Sequence, residues 1–200
     1  MGSLPIAERP KSWAQAKRMF TELIEVDFAR SPSLFHRVTV SIWRAGQVLR
    51  YARGPVAFVV RRFVLAADLI WTQTLMGAEL PHEVWCGPGV KLEHGGRGVI
   101  MHPSVSIGAE ATIYHRVTIG VRDARPAATL GDRVELGVGA VLLGPVQVAE
   151  GTRVGANAVL LTDTEADCTY VGAPARRVGE KRFVETSFGA PLPRRARGMR

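Results

Sequence analysis

The chain is short of cysteine, of aromatic residues and of unbroken apolar runs, and each shortage excludes something. Cys86 and Cys168 are its two cysteines. They are too few for a disulfide scaffold and too isolated for a zinc-ligand pattern, so a reducing, cytoplasmic setting is expected. The N-terminal MGSLPIAERPKSWAQ lacks a basic segment followed by an apolar core, so no signal peptide is read there. The most apolar stretch, from Pro55 to Leu75, is broken by Arg61, Arg62 and Asp68 and fails as a membrane span. Acidic residues are also scarce: 18 Asp and Glu against 26 Lys and Arg leave a net charge of +8. That sign suits nucleic acid, an acidic membrane surface or a polyanionic cofactor. No aromatics interleave with the basic residues and no nucleic-acid-binding motif is present, which speaks against the first. Arg194, Arg195, Arg197 and Arg200 gather part of the excess charge in the last seven residues. That run, within 179–200, reads as a solvated basic tail, with a nucleic-acid arm as the sharper alternative.

What is present changes character near residue 78. Before it, apolar residues follow helical spacing. Phe20, Leu23, Ile24 and Phe28 form one stripe behind Lys17 and Arg18. A second helix is expected over 33–52, after Ser31-Pro32, and a third over 56–76, after Gly54-Pro55. Residues 1–78 thus read as a helical subdomain that packs on something larger.

From residue 79 an internal repeat takes over. Every sixth residue from Leu130 is aliphatic: Leu130, Leu136, Leu142, Val148, Val154, Leu160. The residue four further on in each unit is small or β-branched: Val134, Ala140, Val146, Thr152, Ala158, Thr164. If each class is about a quarter of average usage, two such rows arise by chance in about one window in ten million. Earlier units keep the spacing in pieces, through Val84 and Val90 and then Val99, Val105, Ala111 and Val117. The phase slips between 91 and 98 and again between 120 and 129, which marks loops leaving a coil. A strict six-residue period suits stacked short strands whose equivalent positions point inward in register, a parallel β-helix.

Three segments bring out a resemblance. GPGVKLEHGGRGVI (87–100), ATIYHRVTIG (111–120), and LGVGAVLLGPVQVAEGTRVGANAVLL with VGAPARRV (136–161 and 171–178) are similar to the serine acetyltransferase branch of the hexapeptide-repeat acyltransferases. HRVTVSIWRAGQVL (36–49) carries a fainter likeness. The match is strong over about half the chain. It implies a mainly β fold: a left-handed parallel β-helix over 79–178 behind an N-terminal α-helical subdomain. It also implies a homotrimer, with a dimer of trimers as an extension. Acetyl-CoA would lie in a groove between subunits and donate its acetyl group to a hydroxyl.

Such a transfer needs a base, because a neutral alcohol is a poor nucleophile. A histidine with an ordinary pKa of about 6.5 can take that proton at neutral pH. His94 stands at the first phase slip beside Gly95, Gly96 and Gly98. From spacing alone it is either a base or the cap of a surface turn; the resemblance assigns it the base. A base needs an orienting partner, and Glu93 and Glu79 match acidic positions of the family, with Glu where Asp is usual. His115 is similar to a position often held by Gln, and either touches acceptor or cofactor or sits on the coil surface. His82, His102 and His36 read as structural. The resemblance further implies cofactor contacts at Gly120, Val138, Arg153 and Ala156, with Arg153 in place of a family Lys near the CoA phosphates. An exposed coil arginine is the plainer reading of Arg153.

The departures bear on the acceptor. The family's second histidine belongs in a loop that here reads GVRDARPAATLGD (120–132) and contains none. Arg125 is the nearest match and suits a carboxylate or phosphate. The last residue is Arg200, not the hydrophobic residue that docks into cysteine synthase, so that partner is not expected. The acceptor is left open among a serine-like amino acid, a sugar and a natural-product intermediate. Two other readings exist. One is a non-catalytic β-helix that scaffolds a partner enzyme. The other is a zinc hydratase of the gamma-class carbonic anhydrase kind, using His82, His94, His102 and His115. The histidine spacing does not match that family, so no metal is expected.

Overall fold

A computed structural model describes residues 9–123 and 125–180. The expected basic tail therefore lies outside the described residues, apart from the end of its preceding strand. Helix α1 spans Trp13–Ala29 and starts at Ser12, whose side chain accepts from the Gln15 amide, as an N-cap should. Helix α2 spans Leu34–Leu49 and α3 spans Pro55–Ala67, with proline in its first turn. The expected third helix does not continue as an α-helix: Asp68–Leu75 winds as a π-helix. The wider register lets Gln73 Nε2 donate to Asp68 Oδ2 at 2.8 Å, and the Thr74 hydroxyl to the Leu69 carbonyl at 2.8 Å. No helix among the described residues is long and apolar enough to cross a membrane.

The remainder is a parallel β-helix of three faces. The first coil contains β1 (Trp85–Cys86), β2 (Lys91–Leu92) and β3 (Ile100–Met101). The second contains β4 (Ser106–Ile107), β5 (Thr112–Ile113) and β6 (Thr118–Gly120). The third contains β7 (Thr129–Leu130), β8 (Glu135–Leu136) and β9 (Val141–Leu143), and the fourth β10 (Gln147–Val148), β11 (Arg153–Val154) and β12 (Val159–Leu160). Strands β1, β4, β7 and β10 stack as one face; β2, β5, β8 and β11 as the second; β3, β6, β9 and β12 as the third. A closing hairpin, β13 (Cys168–Val171) and β14 (Arg176–Glu180), extends the second face.

Both repeat rows turn inward. Each six-residue unit supplies one aliphatic residue from a strand and one small residue from the adjoining corner. All twelve are buried except Thr164, which is half-buried and bonds the Thr152 hydroxyl at 2.9 Å. Register makes columns of them, for example Leu92 over Ile113 over Leu136 over Val154 over Tyr170. The two phase slips are insertions at corners. Lys91 stacks on Thr112 but Ile100 on Thr118, so three extra residues leave the coil between β2 and β3. Thr118 stacks on Val141 but Ser106 on Thr129 and Thr129 on Gln147, which places the second insertion between β6 and β7.

The first coil would present open backbone groups at its end, and buried backbone must be paired. Helix α2 closes it. Trp43 Nε1 donates to the Pro81 carbonyl, Gln47 Nε2 to Val84, and Arg44 to the carbonyls of Cys86 and Gly87. Asp27, from α1, pairs with Arg44 at 2.8 Å and accepts from the Gly89 and Val90 amides. Both side chains of that pair are fully buried. No local sequence pattern points to this network.

His36 belongs to the same seam. Its Nδ1 accepts from the Leu92 amide at 3.1 Å, and its Nε2 faces the Asp27 carbonyl at 3.2 Å, so Nε2 carries the proton. A second proton would confront the Leu92 N–H. Burial lowers the His36 pKa, with the neighbouring Asp27 carbonyl and charge opposing. A histidine with a lowered folded pKa binds fewer protons than its unfolded counterpart. Its contribution to stability is therefore complete above about pH 6.5 and is lost as pH falls below it. His82, also lowered by burial, adds in the same sense. Denaturant midpoints at about pH 7.5 and pH 5.5 should fall with acid, and the slope should shrink in His36→Gln.

Candidate active site

The corner between the second and third faces forms one straight edge of the prism. His94 sits at its first coil, His115 at the second, Val138 at the third and Ala156 at the fourth. Backbone bonds tie the levels: Gly139 N donates to the His115 carbonyl at 3.1 Å and Asn157 N to Val138 at 2.8 Å. Four of the residues singled out from sequence thus share one edge.

The three-residue insertion lifts His94 out of the coil. His94 adopts φ 54 and ψ 28 and is exposed. A left-handed backbone is uncommon for a non-glycine residue, but the coil corners use it repeatedly, at Glu110, Arg116, Arg133 and Asn157 as well. Gly95 follows at φ +73, and a Cβ there would lie 2.9 Å from the Phe35 Cβ. The first turn of α2 therefore presses directly on the histidine loop, and only glycine fits beneath it.

His94 and His115 meet edge to face, with ring centroids 4.9 Å apart and planes at 83°. Both line a cavity of about 410 Å³ together with Ser33, Phe35 and Arg97. His115 Nδ1 is out of solvent and, among the described residues, has no hydrogen-bond partner. Among the described residues no ion pair or hydrogen bond holds the Arg97 guanidinium, which leaves a cation at the cavity. Phe35, Ser33 and Arg97 were not singled out from sequence. Arg97 lies inside the GGRG of the motif, whereas nothing in the sequence pointed to Phe35.

The proposed orienting carboxylates are elsewhere. Glu93 pairs with Lys91 Nζ at 2.5 Å. Glu79 bridges Ile100 through its backbone, and its side chain lines a different cavity, beside His82. Among the described residues neither carboxylate bonds to His94; its ring neighbour is His115.

Of the cofactor candidates off the edge, Gly120 ends β6, where its carbonyl accepts from Gly144 N. Arg153 projects from β11 and pairs with Glu135 at 3.1 Å while half-exposed. Arg125 lies exposed in the second insertion, between the third and first faces, so a single chain does not bring it to His94. His102 bonds Ser104, and His82 lies against Gly46 near Asp68. Among the described residues no three potential ligands gather into a metal site.

No protein-family model matches the chain. It is 36% identical over 127 residues to the serine acetyltransferase of Helicobacter pylori J99, covering 61% of this chain and 74% of that protein. The chain belongs to the serine acetyltransferase family. It is 31% identical over 160 residues to the Mycobacterium tuberculosis serine acetyltransferase, which covers 78% of this chain but only 62% of that longer protein. The fold matches that of the Brucella abortus serine acetyltransferase, with a TM-score of 0.67 at 20% identity over 84% of this chain and 70% of that one. It also matches soybean serine acetyltransferase complexed with serine, with a TM-score of 0.64 at 24% identity over 82% of this chain and 69% of that one. These likenesses identify the β-helix as the left-handed parallel kind.

Proposed function

We propose that the chain transfers an acetyl group from acetyl-CoA to a hydroxyl of a small acceptor, in a ternary complex, with His94 as general base. The observation that carries this reading is the edge itself. An exposed histidine heads a ridge whose lower levels are Val138 and Ala156, with a cavity, a second histidine and a cation at its top. His94 takes the proton as the acceptor oxygen forms its bond to the thioester carbonyl carbon. The carbon–sulfur bond then breaks, and the proton passes to the departing CoA thiolate.

His115 holds the His94 ring from the side, in place of a carboxylate. Gly120 and Arg125 stand on the next edge, and reach the reacting centre from a neighbouring subunit of a homotrimer. Backbone amides near Gly120 then stabilise the oxyanion. Arg153, swung from Glu135, meets the CoA phosphates. Arg153→Glu is expected to weaken CoA binding at least about tenfold by calorimetry; an unchanged affinity would remove that role.

The insertion at 120–129 lacks a second histidine, which points to a hydroxyl acceptor other than serine. The test is a screen with acetyl-CoA over L-serine, homoserine and several sugars, reading free thiol and product mass. The expected result is an acetyl gain on a non-serine hydroxyl with matching thiol release. Efficient acetylation of L-serine would instead make it the acceptor. CoA binding without thiol release for any hydroxyl would favour a non-catalytic scaffold.

A further inference from the structure

Among the described residues, the His94 cavity is walled by Ser33, Phe35, His94, Arg97 and His115, and no carboxylate is among them. Glu93 pairs with Lys91, and Glu79 lines the other cavity, beside His82. The insertion at 120–129 carries one acidic residue, Asp123, which pairs with Arg122 at 3.8 Å.

We propose that Phe35 selects the acceptor, and that the acceptor is an alcohol borne on an apolar ring and free of any ammonium group. This rests on reading the His94 cavity as the acyl-transfer site. The first support is how Phe35 is held. It is 48% exposed, so half of the side chain is open to a ligand. Its ring nevertheless lies 5.9 Å from that of Trp71, with planes at 30°. Trp71 packs against the buried core, and its Nε1 donates to the fully buried Thr39 hydroxyl at 2.9 Å. On its other side Phe35 presses on Gly95, the residue after His94. The phenyl is thus set between the π-helix and the histidine loop before a ligand arrives. An ordered wall loses little side-chain entropy on binding, and an aromatic surface gains from being covered by another ring. A ring on that wall lies next to the base.

The second support is what the walls do not match. A free amino acid brings an ammonium group, and desolvating it costs free energy unless an anion meets it. Here it meets Arg97, a like charge. A sugar gives up several hydrogen bonds to water and needs as many partners in return, and a phenyl wall offers none. A ring alcohol needs one polar contact, at the hydroxyl that His94 deprotonates. Pockets of about 300–1,000 Å³ hold drug-sized ligands, so a cavity of about 410 Å³ has room for a ring beside the acetyl end.

Four alcohols separate the ring from the ammonium: phenethyl alcohol, phenylglycinol, ethanol and ethanolamine, with L-serine and glucose beside them. Each is offered with acetyl-CoA to the full chain, to Phe35→Ala and to Phe35→Leu, reading free thiol and O-acetyl product by mass. Binding is read separately, by ligand-observed NMR with CoA present. Phenethyl alcohol is expected to exceed the other five in kcat/KM by about tenfold or more. Phe35→Ala should raise its KM about tenfold, more than it lowers kcat, with CoA affinity and assembly mass unchanged. Phe35→Leu should fall between. Equal or better transfer to phenylglycinol, L-serine or glucose overturns the proposal. So does a ring preference that survives in Phe35→Ala, or a change of assembly mass with that preference intact, which would make Phe35 a subunit contact. No binding of phenethyl alcohol at millimolar concentration overturns it whichever other alcohol is acetylated. Binding that depends on Phe35 with no alcohol acetylated would uphold the ring site and remove the transfer reading instead.

Discussion

Replacing His94 with alanine should lower acetyl transfer at least about a hundredfold while CoA still binds. General-base catalysis typically contributes about 10² to 10⁴, and of the two imidazoles that line the cavity His94 is the exposed one, His115 being half-buried. His115 is nearest, but its Nδ1 is out of solvent and its ring presents an edge or face to His94 at 4.9 Å. Ser33 also lines the cavity, yet no hydrogen bond joins it to His94, so it lacks the base that activates a serine nucleophile. The cysteines are no substitute: both are buried, and burial pushes the Cys86 thiol up to about 12. Direct transfer is therefore the expected route, and no acetyl group should be found on the protein by mass. The His94 side chain is exposed, so its truncation to alanine costs the fold little. Near-normal thiol release in the variant, or loss of CoA affinity in parallel with activity, would take the base role from His94.

Asp27→Ala should destabilise the chain by about 3–5 kcal/mol in denaturant unfolding. The cost arises because Arg44 stays behind as a fully buried charge. The Gly89 and Val90 amides lose their shared acceptor at the same time. A buried pair can often be exchanged for apolar residues at little cost, but not here. Arg44 also bonds the Cys86 and Gly87 carbonyls, so removing both partners orphans four backbone groups of the first coil. The combined Asp27→Leu, Arg44→Met variant should consequently remain destabilised. Against a total stability of about 5–15 kcal/mol, this one contact decides whether the helical layer stays seated on the β-helix. A cost below about 1 kcal/mol would mean the seam is held by α2's other contacts.

The β-helix was open to reading because its period is carried by packing alone. One aliphatic and one small residue per six positions are what three stacked faces require, and both rows lie where that rule puts them. The phase slips at 91–98 and 120–129 were equally legible, since an insertion must break the count. Even the meeting of His94 with His115 is implicit in it: the residues are 21 apart, the same offset as Lys91 to Thr112. The helical half resisted for a different reason. Spacing identified α1, α2 and most of α3, but a hydrophobic pattern says nothing about which polar residue will be buried. Asp27, Arg44 and His36 are used on backbone groups about 40 to 60 residues away, a partnership no local pattern contains. The π-register of 68–75 was hidden because α and π turns share much the same apolar sequence. Glu93 was a partner candidate through its likeness to a family acidic position, and in this structure it pairs with Lys91. A neighbour in sequence at a tight corner points away as readily as toward.

The most direct test of the account is a crystal structure with acetyl-CoA bound. The pantetheine arm should lie along the edge of Ala156 and Val138, with the thioester in the cavity of His94, His115 and Arg97. An acceptor oxygen should then have room within about 3.2 Å of a His94 ring nitrogen and about 3.5 Å of the carbonyl carbon. A thioester lodged beside His82 and Asp68, or on a face remote from His94, would contradict it.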